Sequence, residues 1–156
     1  GIRDRSPSRG SEMCIRDRNK LSEEELVQVK EQIQFMKKYR HILQYGMFYR
    51  LKSPFEGNEV VWMVVSEDKK TAIVGWYRIL NVVNDAYTRV CLEGLDPDVQ
   101  YCNSLTGKVH YGDELMNLGL ITSDATAGET ESGMKPCTDF ESRIYVLEAV
   151  EEEEAI

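Results

Sequence analysis

A chain of 156 residues has room for one ordinary domain, or for a small domain with part of another attached. Its formal net charge of -8 argues against nucleic acid or an anionic membrane surface as partner, since each requires a basic face. No apolar run approaches the ~20 residues that cross a bilayer, which excludes a transmembrane helix; a neutral partner, a sugar or another protein surface, fits better.

The chain opens on GIRDRSPSRGSEMCIRDR, which has no apolar period. Five arginines stand there against Asp4, Glu12 and Asp17, so the remainder of the chain carries -10. No apolar core follows the basic residues, and a signal peptide is thereby excluded. A nucleic-acid-binding arm is one reading of the arginines. The better one takes Met13-Cys14-Ile15-Arg16-Asp17-Arg18 as a translated sequencing-library adapter fused ahead of a truncated gene. Residues 1–18 are expected to be a disordered, non-native scar and are set aside from fold reasoning.

From Leu21 to about Tyr45 the apolar positions Leu26, Val29, Ile33, Met36, Tyr39 and Leu43 recur at spacings of three and four, one face of a helix. Ser22 and Glu25 form a capping box, and Glu23 and Glu24 suit the positive end of the helix dipole. Lys37, Lys38, Arg40 and His41 are expected to complement the other end, and Gly46 to stop the helix in a left-handed C-cap. The apolar stripe spans too few heptads to argue a coiled coil.

Past Pro54 and Gly57 the periodicity changes to that of strands. Residues 59–66 and 71–79 flank the polar turn Glu67-Asp68-Lys69-Lys70. Both faces of these runs are largely apolar, as in a strand central to a sandwich. Further strands are expected near 47–51, 87–93, 99–104, 108–111 and 142–149, with turns at 94–98 and 104–107. Asp113 to Leu118 reads equally as a helical turn or a bent strand. Residues 121–139 read as a long surface loop and 151–156 as a solvated acidic tail. The fold expected is mainly β: an antiparallel Greek-key β-sandwich preceded by one long amphipathic α-helix.

Several of these stretches are also recognisable in order. Tyr39-Arg40, Gln44-Tyr45-Gly46, Tyr49-Arg50-Leu51, Ser53-Pro54-Phe55-Glu56-Gly57-Asn58, Trp62 to Asp68, Gly94-Leu95-Asp96-Pro97, Tyr111 to Asn117, Gly119-Leu120 and Asp139 to Arg143 together resemble the C-terminal part of glycoside hydrolase family 36 α-galactosidases. The resemblance covers roughly residues 20–150. It implies that residues 19–46 are the last helix of a truncated (β/α)₈ barrel and residues 47–150 an antiparallel C-terminal β-sandwich domain. The apolar face of the helix would then belong against barrel strands this chain does not contain, so that alone it must fold back, pair with another copy or stay exposed.

Retaining glycosidases use two carboxyl groups, one as nucleophile and one as acid/base. By type alone the candidates are Asp96, Asp98, Asp113, Glu114, Asp139 and Glu141. The resemblance gives none of them either role, because the family's two catalytic aspartates lie upstream on the barrel. Asp96 before Pro97 and Asp113 after Gly112 read as turn or capping residues. His41 reads as a dipole partner and His110 as a strand residue. Neither histidine combines with Cys91, Cys102 and Cys137 in a zinc spacing. No P-loop or dinucleotide fingerprint occurs. No catalytic, cofactor-binding or metal-binding residue is therefore assigned, and no cofactor is expected.

The four cysteines, Cys14, Cys91, Cys102 and Cys137, are sparse and are expected reduced and buried, as in a cytoplasm; a Cys91–Cys102 disulfide is the alternative. Trp62, Trp76, Tyr77, Tyr87, Tyr101 and Tyr111 form either a sugar platform or, as the apolar strands around Trp62 and Trp76 favour, core. Tyr45, Tyr49 and Arg50 are expected to serve a domain interface, and Arg50 and Arg143 to pair with Glu56, Asp139 or Glu141.

The function implied is that of the C-terminal structural domain of a cytoplasmic, homo-oligomeric retaining α-galactosidase. The family removes terminal α-D-galactosyl residues from oligosaccharides such as melibiose and raffinose, and relatives act on α-N-acetylgalactosaminides or transfer galactose. This chain alone is expected to be inactive. The alternatives are a free-standing carbohydrate-binding β-sandwich and an interaction domain using the helix face.

Overall fold

The computed structural model describes residues 22–80, 88–122 and 139–150. The chain divides into two compact units, residues 1–40 and 41–156. The expectations for residues 1–18, for Tyr87, for the acidic tail and for most of the loop after Thr122 lie outside the described residues.

Helix α1 spans Glu23–Tyr45. Its start is the capping box read from the sequence: the Ser22 amide donates to Glu25 Oε2 at 2.8 Å and the Glu25 amide to Ser22 Oγ at 3.3 Å, so two of the orphan donors are satisfied reciprocally. Its end differs from the expectation in two ways. No basic residue lies in the last turn, because the cations fall one turn too early to meet the last carbonyls. Gly46 is not left-handed either. Its amide bonds to the Ile42 carbonyl at 2.8 Å, and a Cβ there would stand 2.6 Å from both the Ile42 and Val65 carbonyl oxygens. Glycine is required by the close approach of three backbone segments rather than by φ. Leu26, Ile33 and Met36 are exposed, and Tyr39 is the buried residue of the helix.

The second unit is built on an antiparallel sheet. Strands β1 (Met47–Lys52), β2 (Glu59–Val65), β3 (Thr71–Arg78), β5 (Gln100–Asn103), β6 (Val109–Tyr111) and β8 (Glu141–Ala149) stand in the order β1-β2-β3-β8-β5-β6. A separate ribbon pairs β4 (Arg89–Val90) with β7 (Leu120–Ile121). The mainly β, antiparallel architecture after one long helix is as the sequence reads. The chain's last strand returns to lie between β3 and β5, a long-range insertion of Greek-key character.

The period of two sorts the apolar side chains onto the two faces. Val61, Met63 and Val65 of β2, Ala72, Val74 and Trp76 of β3, and Tyr145 and Leu147 of β8 share the core with Val90, Leu92, Leu95, Tyr101, Leu115 and Leu120. That core is closed by a thin second layer: the β4–β7 ribbon, the segment around Leu92 and Leu95, and helix α2 (Gly112–Asn117). The Asp113–Leu118 ambiguity thus resolves as helix. Its reason is burial of Leu115, with Met116 packed against the core, and the Leu115 carbonyl accepts the Leu92 amide at 3.0 Å.

The expected strand over 87–93 is confined to Arg89–Val90. Leu92 and Leu95 drop into the core from chain that crosses the sheet instead of pairing with it. Cys91 and Cys102 are both free, which overturns the disulfide alternative; Cys91 is also exposed rather than buried.

Candidate functional site

The six carboxylates singled out by type are dispersed. Asp96 Oδ1 accepts the Asp98 amide at 3.2 Å, the side-chain-to-backbone bond that closes a turn around Pro97. Asp113 sits in the first turn of α2, where Oδ1 accepts the Glu114 amide at 2.6 Å. Asp98 and Asp139 are exposed. Glu114 Oε1 meets His110 Nδ1 at 3.0 Å; the histidine read as a strand residue is in β6, and its ring bridges to α2. His41 packs against Tyr45, ring centroids 5.1 Å apart with their planes tilted by 44°.

Glu141 belongs to a charged row at one end of the sheet. It accepts Arg78 Nη2 at 2.7 Å and Arg143 Nε at 3.0 Å, as the sequence anticipates for Arg143. Cross-strand register sets this up, because Glu59 lies opposite Arg78 and Arg78 opposite Glu141. Glu59 in turn ion-pairs with Lys52 and accepts Trp76 Nε1 at 3.3 Å. The Arg78 and Arg143 guanidinium carbons stand 5.2 and 5.6 Å from the Trp76 ring centroid, a double cation–π contact. Trp76 is fully buried, so charge and aromatic surface here brace four strands.

Trp62 departs from the expected core position. It lies on the opposite face and is half-buried, with Phe48 and Tyr77 each 6.3 Å from it in stacked rows. Gly75 makes room: a Cβ there would stand 2.5 Å from the Trp62 ring. The alternation of β2 already carries this signal, since Trp62 is out of phase with Val61, Met63 and Val65. Tyr45 is exposed, while Tyr49 packs against the core.

A cleft of about 360 Å³ opens on the core side of the β8–β5–β6 edge. Leu115, Leu118, Leu120 and Ile121 form an apolar wall, and Arg89, Lys108, His110 and Glu114 supply charge. Asn103 and Tyr145, each 1% exposed, also line it. Sequence reasoning missed this site because its residues come from six elements, most of them short, and the turns between them. The one local signal is the Asn103 turn, where Oδ1 accepts the Leu105 amide at 3.0 Å and the Asn103 carbonyl accepts the Gly107 amide at 2.7 Å.

Among the described residues, two groups titrate away from their usual values. Burial pushes the Tyr101 hydroxyl up; this outweighs the opposing hydrogen bond from the Asp96 amide, and the nearby Asp96 and Asp68 charges add to it. The Ser66 hydroxyl, together with the Lys70 amide, holds the Asp68 carboxyl below its ordinary value. Among the described residues no group of three or more His, Cys, Asp and Glu is placed to hold a metal, and no helix is long and apolar enough to cross a membrane.

The fold defines a class: an antiparallel β-domain of one large sheet with a thin second layer, entered from a long helix. Residues 59–147 match the model of the glycosyl hydrolase family 36 C-terminal domain, and the chain belongs to that family. It is 38% identical over 136 residues to α-galactosidase AgaA of Geobacillus stearothermophilus, covering 87% of this chain and 17% of that protein. It is 36% identical over 134 residues to α-galactosidase Mel36A of Lactobacillus acidophilus, again over 17% of the relative.

Among solved structures, the family 36 α-galactosidase AgaB of G. stearothermophilus superposes with a TM-score of 0.74 at 39% identity, over 85% of this chain and 17% of that one. The α-galactosidase of Lactobacillus brevis gives 0.74 at 37%, over 88% and 18%. The chain thus spans about a sixth of the length of these relatives.

Proposed function

We propose that the chain is the C-terminal part of a retaining α-galactosidase, in which it braces a catalytic (β/α)₈ barrel supplied by sequence outside it. The carrying observation is the family match over residues 59–147 combined with 17% coverage of relatives described as α-galactosidases. In this reading residues 1–18 are a non-native scar, residues 19–46 the last barrel helix, residues 47–150 the β-domain and residues 151–156 an acidic tail. The exposed stripe of Leu26, Ile33 and Met36 is the surface a barrel would cover.

The substrates of the whole enzyme are terminal α-D-galactosides such as melibiose and raffinose. The whole enzyme is a cytoplasmic homo-oligomer. The free thiols Cys91 and Cys102 suit a reducing compartment. The chain alone carries neither catalytic carboxylate and is inactive.

Two measurements test this. The purified chain is expected to release no 4-nitrophenol from 4-nitrophenyl α-D-galactopyranoside; measurable release defeats the reading. Recovery of the gene upstream of Asn19 is expected to yield an open frame encoding a barrel with two strand-end aspartates. A start codon near Met13 with no barrel ahead of it favours instead a free-standing carbohydrate-binding module, for which the half-open row of Phe48, Trp62 and Tyr77 is the supporting observation.

A further inference from the structure

The cleft beside α2 is formed within the second unit, which supplies every residue lining it. Its volume of about 360 Å³ is that of a site for a small molecule, and its composition, an apolar wall with a few convergent polar groups, is what such sites share. The charges decide what kind of molecule. Glu114 is engaged by His110, and Arg143 is engaged by Glu141. Arg89 and Lys108 line the cleft from β4 and from the β5–β6 turn, and neither has a carboxylate partner among the described residues. Two cations in one cleft with no carboxylate partner among the described residues favour an anion.

At the floor, Asn103 uses Oδ1 for the Leu105 amide, so the group it offers to the cleft is its NH₂, a further donor. A neutral sugar is the weaker fit, because the lining holds no exposed aromatic ring on which a pyranose would stack.

We propose that this cleft binds a small phosphorylated ligand. Its phosphate is held by the Arg89 guanidinium and the Lys108 ammonium, with the Asn103 amide donating to it. Its uncharged body lies along Leu115, Leu118 and Leu120. Arg89 supplies the paired N–H groups that match two phosphate oxygens, and Lys108 a point charge.

The test uses the full 156-residue chain, titrated with inorganic phosphate, with a hexose monophosphate and with the unphosphorylated hexose, following backbone amide shifts. Saturable shifts confined to the Asn103–Lys108 turn and to Arg89 are expected with both phosphates, and none with the free hexose. Arg89→Ala and Lys108→Ala are each expected to weaken binding about tenfold, as loss of one charge-assisted bond does. Arg89→Lys is expected to recover part of the loss. Lys38→Ala, on the helix, leaves affinity unchanged. Shifts scattered over other cationic surfaces, affinity indifferent to Arg89 and Lys108, or equal binding of the free hexose would each overturn the proposal. Thermal unfolding of every variant, monitored by tryptophan fluorescence, separates lost binding from lost fold, and Lys108→Gln replaces any variant that unfolds. The readout is binding, so its failure leaves the α-galactosidase reading untouched.

Discussion

The two faces of the large sheet carry similar residues and have different fates. On the core face Val61, Met63, Val65, Ala72, Val74 and Trp76 are all buried. On the other face Val64 and Ile73 are as deeply buried, whereas Phe48 and Ile144 are exposed and Trp62 and Tyr77 half-buried. Val64 is covered where the chain enters β1 at Gly46; the aromatic end of the same face is left open. Residue type therefore does not decide burial here. What decides it is local cover, which α2 and the β4–β7 ribbon supply along the core face and the chain at Gly46 supplies over Val64 on the other.

The largest effect expected from breaking this contrast is that of the two tryptophans. Trp76→Ala empties a sealed site and removes the aromatic surface under Arg78 and Arg143. A loss of about 3–5 kcal/mol is expected, since the thin second layer cannot collapse into a hole of that size. Trp62→Ala loses only partly buried surface over Gly75 and should cost about 1–2 kcal/mol. Denaturant unfolding of both variants checks the difference. Equal losses would show that the open face is covered in solution.

A smaller effect is expected at the charged end of the core face. Glu141 bridges Arg78, whose side chain is 4% exposed, and Arg143. Glu141→Ala withdraws that carboxylate from a nearly dry guanidinium and should cost about 2–3 kcal/mol, less than for a fully buried pair because Glu141 itself retains 17% exposure. Glu141→Gln, which keeps an acceptor without the charge, should recover part of the loss in the same unfolding measurement.

These residues also mark how far the sequence could be read. The alternation of β2 and β3, the capping box at Ser22 and the turn at Glu67–Lys70 are local patterns, legible because each is written within a few neighbouring residues. For Arg143 the sequence left Glu56, Asp139 and Glu141 open as partners, and Glu141, two residues away on the same strand, is a partner observed. The pairing of Arg78 with Glu141 spans 63 residues and rests on the return of β8 to the edge of β3, which no local pattern announces. The cleft was illegible for the same reason. The two-residue strand Leu120–Ile121 is too short to alternate, and Leu92 reads as strand and Leu95 as turn while both serve the core. At Gly46 the residue type was read correctly and its cause was not, since space and left-handedness select glycine alike.

The smallest effect concerns Tyr101, where the core face meets the β2–β3 turn. Its hydroxyl donates to the Lys69 carbonyl at 2.7 Å and accepts the Asp96 amide at 3.1 Å, so it ties the turn to the second layer from a fully buried ring. Burial raises the folded-state pKa of this phenol above its ordinary value of 10.0. The neutral form is therefore favoured by folding, and the associated stability is fully present below the unfolded-state pKa. It is lost as pH rises from about 10 through the folded-state value. Tyr101→Phe removes one donor and one acceptor partner and should cost about 1–2 kcal/mol at neutral pH. The discriminating measurement is the stability difference between wild type and Tyr101→Phe as a function of pH. That difference should shrink above pH ~10, because only the wild type has a phenol to ionise. If the difference stays constant above pH ~10, Tyr101 is not the phenol sealed from water.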